Sequence, residues 1–172
     1  MKNILLVSTT SGNNYNLAKE IDSLLKTKDV NYEFIKLDDF SLPLYHPKIE
    51  KTTQCEDISK LDELFQHTDG FIFCAPEYNG SIPPILSNLI AWLSISGDDF
   101  RNLFNGQPIA IATFSGGPGI ELITSLRIQL AHLGAQVVGR HLSANYNKPV
   151  EQKTIEDIIK RLIQMKRLDL NK

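Results

Sequence analysis

Residues 70–94 read Gly70-Phe71-Ile72-Phe73-Cys74-Ala75-Pro76-Glu77-Tyr78-Asn79-Gly80-Ser81-Ile82-Pro83-Pro84-Ile85-Leu86-Ser87-Asn88-Leu89-Ile90-Ala91-Trp92-Leu93-Ser94. The apolar run 71–75 has the length of a strand buried on both faces. Pro76 ends it, because proline lacks an amide donor and fixes φ. Pro83 and Pro84 suit the first turn of a helix, and Ile85, Leu89 and Trp92 follow at helical spacing. The segment is therefore a strand, a stiff polar turn, and a helix whose first free N–H groups point back at the turn. Such a turn can hold a flat polar ring or an anion.

The same alternation extends in both directions. Residues 4–7 form a short apolar run, consistent with a buried parallel strand, and Leu17, Ile21, Leu24 and Leu25 repeat at helical spacing. Residues 32–37 alternate as a more exposed second strand. Residues 40–54, with Pro43 and Pro47, read as a loop, and Ile58, Leu61, Leu64 and Phe65 as a helix. After the helix near 84–95 comes Gly97-Asp98-Asp99 as a turn, then a fourth strand over 108–114. Leu122, Leu126, Leu130 and Leu133 mark a helix, residues 136–138 a short fifth strand, and Ile155, Ile158, Ile159, Leu162 and Ile163 an amphipathic terminal helix. No repeat or linker divides residues 1–172, so a single α/β domain is expected. Strands alternating with helices imply a parallel sheet covered on both faces, and right-handed crossovers leave few topologies. Five such strands favour the doubly wound order 2-1-3-4-5, with the ligand site beyond the carboxyl ends of the strands where the order switches between strands 1 and 3.

Composition removes several classes of function. With 18 Lys+Arg against 20 Asp+Glu and no basic stripe, nucleic-acid binding lacks its electrostatic footprint. No segment approaches the roughly 18 apolar residues of a membrane span, and the N-terminal apolar run is too short for a signal peptide. Cys55 and Cys74 have no CxxC partner, which disfavours disulfide, zinc and thiol-redox chemistry. A cytoplasmic location follows as the expectation. His46, His67, His132 and His141 show no metal-ligand spacing. Asp38-Asp39 reads as a strand-end turn, and Trp92 as core, with a subunit contact as its alternative.

Three turns would meet at the switch point. After strand 1 comes Ser8-Thr9-Thr10-Ser11-Gly12-Asn13-Asn14-Tyr15-Asn16, with five hydroxyl groups, three Asn side chains and no carboxylate. Opening a helix, it suits a phosphate. After strand 3 comes 76–81, and after strand 4 comes Ser115-Gly116-Gly117-Pro118-Gly119, whose glycines let the backbone approach a ligand closely. Polar turns of these compositions also serve merely as caps and connections. Three at neighbouring strand ends favour a ligand. A phosphate on one side and a flat heterocycle on the other describe a mononucleotide such as FMN.

Pro76-Glu77-Tyr78-Asn79-Gly80-Ser81-x-Pro83, followed by Leu86-x-Asn88-x-Ile90-x-Trp92-x-Ser94, resembles the signature of the NAD(P)H-dependent FMN reductases. Leu42-Pro43-Leu44-Tyr45 is similar to the family's segment after strand 2, and residues 115–119 to its flavin-facing turn. The resemblance, which runs from strand 1 to strand 5, implies a flavodoxin-like fold, non-covalent FMN and NAD(P)H as electron donor. It further implies homodimers or homotetramers, and a quinone, free flavin or similar small molecule as acceptor. On this resemblance Thr9, Ser11, Asn14 and Asn16 face the phosphate. Pro76, Glu77, Tyr78 and Asn79 face the ring edge, Ser115, Gly116 and Gly117 its far side, and Tyr78 also shapes the substrate face. The chemistry would be centred on the flavin, with no catalytic side chain.

The family's first turn usually reads Gly-Ser-x-Arg-x-x-Ser-x-Asn. Aligned on Asn16, this chain has Ser11 in place of the arginine and Asn14 in place of a serine. A hydrogen bond to a charged group is worth roughly 1.5–3 kcal/mol, so FMN is expected to bind about ten- to a hundredfold more weakly than in arginine-containing relatives. Two other readings stay open: a flavodoxin-like electron carrier, and a fold relative with weak or lost FMN binding that acts as a binding or regulatory protein.

Overall fold

The structure, a computed structural model, describes residues 1–96 and 101–169; the expected turn at Gly97-Asp98-Asp99 lies outside them. In chain order the elements are β1 (Asn3–Ser8), α1 (Asn13–Leu25), β2 (Asn31–Lys36), a 3₁₀ turn (Leu37–Asp39), α2 (Glu56–Gln66), β3 (Gly70–Cys74) and α3 (Pro84–Ser94). Then follow β4 (Pro108–Phe114), α4 (Ile120–His132), β5 (Gln136–Val137), β6 (Leu142–Ala144) and α5 (Gln152–Gln164). The sheet runs β2-β1-β3-β4-β5 with every pairing parallel, the doubly wound order expected from the sequence.

Alternation along each strand decides which helices cover which face. Leu5, Val7, Phe71, Phe73, Ile109 and Ile111 point to one side, where Leu61 and Phe65 of α2, Leu89 and Leu93 of α3, and Leu122 and Leu126 of α4 close over them. Ile4, Leu6, Ile72, Cys74, Ala110 and Ala112 point to the other, against Leu17 and Ile21 of α1 and Ile155, Ile159 and Leu162 of α5. β2, at the sheet edge, is half covered, and only Ile35 in it is buried. Lys2 sets its ammonium against the carbonyls at the end of α5, donating to Leu162 O, Ile163 O and Met165 O. A cation there complements the helix C-terminus.

The far edge departs from expectation. In place of one strand over 136–138 there are two short ones: β5 pairs Pro108–Ile109, the chain leaves the sheet around Gly139, and β6 returns to pair Ala112–Phe114. A three-residue strand has too few positions to show a period, so β6 left no pattern in the sequence. Its consequence is local to the candidate site, because it delivers Asn145 and Tyr146 to the carboxyl edge. No helix among the described residues is long and apolar enough to cross a membrane.

Candidate functional site

Parallel pairing puts the ends of β1, β3 and β4 side by side, Ser8 opposite Cys74 and Cys74 opposite Ala112. The ladder carries on into the turns, with Thr9 N–H donating to Cys74 O and Ala75 N–H to Ala112 O. α1 leaves β1 toward one face and α3 leaves β3 toward the other, which makes this the switch point.

The first turn is anchored at both ends and open between them. Asn14 is buried, and its amide is committed to strand β4: Nδ2 donates to Phe114 O and Oδ1 accepts from Phe114 N–H, both at 2.8 Å. Ser8 Oγ donates to Thr10 O. Thr9 is fully buried, yet among the described residues its Oγ1 has no partner, a condition that a ligand oxygen would relieve. Gly12 takes φ +86°, a left-handed conformation that favours glycine, and opens α1. Among the described residues α1 has no side-chain cap, and its first turn holds no acidic residue, which leaves its leading N–H groups for an anion. Asn16 is exposed one turn further along α1.

One expectation for this turn is corrected. It does have a carboxylate, supplied from the end of β2: Asp38 Oδ2 accepts from both Ser11 N–H (2.9 Å) and Ser11 Oγ (2.7 Å). Partial burial works against ionisation of Asp38. The bonds from Ser11 and the nearby Lys36 outweigh it and hold the carboxyl below the usual carboxylate range.

The second turn is a two-residue hairpin. Tyr78 and Ser81 exchange backbone hydrogen bonds, and Asn79 (φ 52°) and Gly80 (φ 66°) both take positive φ, as a type I′ turn requires. This explains Asn79-Gly80 locally and leaves the Tyr78 ring outside the core. Glu77 reaches across to α4, where its Oε2 accepts from Leu122 N–H at 3.3 Å. α4 has no side-chain cap of its own, so Glu77 serves as a borrowed one and ties the second turn to the third.

The third turn is held from β6. Ser115 N–H donates to Ala144 O, Ser143 Oγ to Pro118 O, and Asn145 Nδ2 to Gly117 O. Gly116 and Gly117 have open space where a Cβ would stand, so a planar ligand can lie against bare backbone there. Gly119 takes φ +67° beneath Thr113 and starts α4.

Asp38, read from the sequence as a strand-end turn only, therefore joins the site through Ser11, and Asn145 and Tyr146 join it unannounced. Tyr146 OH accepts from Asn13 Nδ2 (2.8 Å), and its ring stands edge-on to Phe114 at 5.1 Å. The polar run Asn145-Tyr146-Asn147 was the available signal for the last pair, and it was unreadable without β6. Trp92, buried, donates from Nε1 to Pro43 O and stands edge-on to Tyr45. With Asn88 it fastens residues 42–45 to α3. Leu44, Tyr78, Ile120 and Tyr146, from the segments after β2, β3, β4 and β6, are all large apolar side chains left between 48% and 81% exposed. Tyr78 and Ile120 flank the second and third turns along the chain, and exposed apolar side chains there suit an amphipathic ring ligand. A cleft of about 650 Å³ lies elsewhere, between residues 50–59 and the end of α3, and none of the three turns lines it. Cys74 is not a nucleophile candidate, since burial pushes its thiol far up.

Comparison with known proteins gives a concordant result. The family profile described as NADPH-dependent FMN reductase matches residues 1–148. An NADPH azoreductase from Bacillus sp. (strain OY1-2) is 28% identical over 130 residues, covering 70% of this chain and 69% of that protein. A quinone reductase from Escherichia coli (strain K12) is 32% identical over 102 residues, covering 58% of this chain and 53% of that one. Among solved structures, a flavoenzyme NAD(P)H:(acceptor) oxidoreductase from Paracoccus denitrificans superimposes with a TM-score of 0.77 over 96% of this chain and 100% of that chain, at 20% identity.

Proposed function

Because the chain belongs to the NADPH-dependent FMN reductase family, we propose that it binds FMN across the three turns, oxidises NAD(P)H, and passes two electrons to a quinone or similar small acceptor. The observation that carries this reading is the junction of the turns: Asn14 fastened to Phe114 and Glu77 to Leu122. These contacts fix a donor-rich helix start beside bare glycine backbone. The acceptor class is supported by the names of the azoreductase and quinone reductase relatives.

The described residues fit FMN in most respects. The unpartnered Thr9 Oγ1 and the leading N–H groups of α1 answer a phosphate, and residues 115–117 and Tyr78 answer a ring. Asn14, placed at the phosphate on the sequence alone, serves here as the clamp that sets the turn. Bound FMN supplies the hydride acceptor and the two-electron store. The chain's own work is to position the ring, hold its phosphate, and leave one ring face open past Tyr78. No side-chain acid or base is needed, and Glu77 is engaged in capping α4. We take the working state to be a cytoplasmic homodimer or homotetramer, as in the family at large.

The test is an anaerobic titration of FMN-loaded protein with NADPH and NADH, followed by a quinone. Loss of flavin absorbance on adding nicotinamide, and its return with quinone, is the expected result. Protein that binds FMN yet oxidises neither nicotinamide with any acceptor overturns the proposal.

A further inference from the structure

Ser11 presents two donors from the phosphate turn, and both are already given to one oxygen of Asp38. No Lys or Arg stands among residues 8–18 to offset that charge. Lys19, the first cation on α1, lies over the Tyr15 ring at 5.0 Å. Lys36, the cation paired with Asp38, is shared between Asp39 at 2.7 Å and Asp38 at 3.7 Å. Two carboxylates share this one ammonium, so Asp38 is only partly neutralised. The placement follows from the sheet: Ser8 pairs with Lys36, so the 3₁₀ turn after β2 abuts the turn after β1.

We infer that Asp38 is an internal competitor for the phosphate of the flavin, and that the site therefore distinguishes only weakly between FMN and riboflavin, its dephosphorylated form. The inference rests on the flavin reading above. A phosphate entering the turn must either displace the carboxylate from Ser11 or sit beside it, and both oppose binding. Riboflavin ends in a neutral hydroxyl, which can share Ser11 without repulsion. The unpartnered Thr9 Oγ1 and the uncapped start of α1 remain for either ligand. Asp38 is a specificity-determining residue in this account, and the ring contacts are common to both flavins.

The experiment measures affinity by quenching of flavin fluorescence on apoprotein, for FMN and riboflavin, in the wild type, Asp38→Asn and Asp38→Ala. The wild type is expected to bind the two flavins within about tenfold of each other, and both variants to gain about tenfold for FMN with riboflavin unchanged, the order of effect of one removed like charge at close range. Asp38 is exposed and its removal should leave the fold intact; an unchanged melting temperature checks this. If both variants fold and FMN affinity does not rise, or riboflavin affinity rises equally, Asp38 is only a brace for the turn and the inference fails alone. If no variant and neither flavin binds, the flavin reading itself fails with it.

Discussion

Asn14 and Phe114 exchange two hydrogen bonds across 100 residues of chain, Nδ2 to Phe114 O and Phe114 N–H to Oδ1, each 2.8 Å long. One buried side-chain amide thus completes the backbone of β4 where the strand ends, and in doing so sets α1 against the third turn. Replacing it by alanine leaves an N–H and a C=O without partners. Asn14→Ala should cost about 2–3 kcal/mol and lower the melting temperature by roughly 5–10 °C. Chemical denaturation measures the first and a thermal melt the second. A loss below ~0.5 kcal/mol would mean that water replaces the amide at no cost.

The segment 42–45 hangs on α3 by three bonds. Pro43 O accepts from Trp92 Nε1 (2.8 Å) and Asn88 Nδ2 (3.0 Å), and Asn88 Oδ1 accepts from Tyr45 N–H (2.7 Å). Asn88→Ala removes two of the three, while Trp92→Phe removes one and keeps a ring against Tyr45. Limited proteolysis should therefore cut residues 40–54 markedly faster in Asn88→Ala, with Trp92→Phe intermediate. Equal rates in all three proteins would show that the loop is held by other contacts.

Gly119 stands at φ +67°, and a Cβ there would lie 2.7 Å from Thr113 Cγ2. The left-handed conformation costs a non-glycine residue roughly 1–2 kcal/mol, and the collision adds to it. Gly119→Ala should destabilise by about 2–4 kcal/mol. Thr113→Ser deletes the colliding methyl, so the double variant should be more stable than the sum of the single effects. Simple additivity would place the cost in backbone strain alone.

Much of this was open to reading in the chain itself. Phe71 and Phe73 against Ile72 and Cys74, and Leu5 and Val7 against Ile4 and Leu6, carry the two-sided burial of central strands, and the prolines at 76, 83 and 84 mark their own turn and helix start. The observed strand order is the one favoured among the few that alternation and handedness leave, and with it came the meeting of the turns after β1, β3 and β4. Asp38 was legible in principle: order 2-1-3 sets the end of β2 beside the end of β1, and Ser8–Lys36 pairing then brings residue 38 to Ser11. Asp38-Asp39 read only as a strand-end turn because a carboxylate there looks the same whether it closes its own turn or accepts from the neighbouring one. β6 and Tyr146 were not legible, because three residues pairing at long range have no local period. Asn14's clamp was hidden for a related reason, since an Asn in a polar turn looks alike whether it faces a ligand or a strand 100 residues away.

Acid stability should report the Asp157 pairs. Arg161 and Arg140 donate to Asp157 Oδ2 at 2.9 and 2.7 Å and hold its carboxyl below the ordinary value of 3.8. A depressed carboxyl contributes stability above its unfolded value and loses it as pH falls through the folded one. Asp157→Asn should be less stable than the wild type at neutral pH, and the two denaturation curves should converge as pH drops below about 3.8. Added salt should narrow the neutral-pH gap, since the cluster is on the surface. A gap that persists unchanged in strong acid would place the effect in packing.

Restoring the family's arginine should do less than its charge suggests. Ser11→Arg puts a guanidinium beside Asp38, which already sits at position 11, and the two would pair with each other. The single substitution should therefore tighten FMN binding by less than about tenfold, whereas in the Asp38→Asn background Ser11→Arg frees the cation for phosphate and should tighten it by roughly ten- to a hundredfold beyond Asp38→Asn alone. The excess of the double variant over the product of the singles measures the Arg–Asp pairing directly. Riboflavin, without a phosphate, should show no such excess in the same fluorescence titration. If the two FMN effects simply multiply, the carboxylate and the introduced cation do not meet, and Asp38 is directed away from the turn once a flavin is bound.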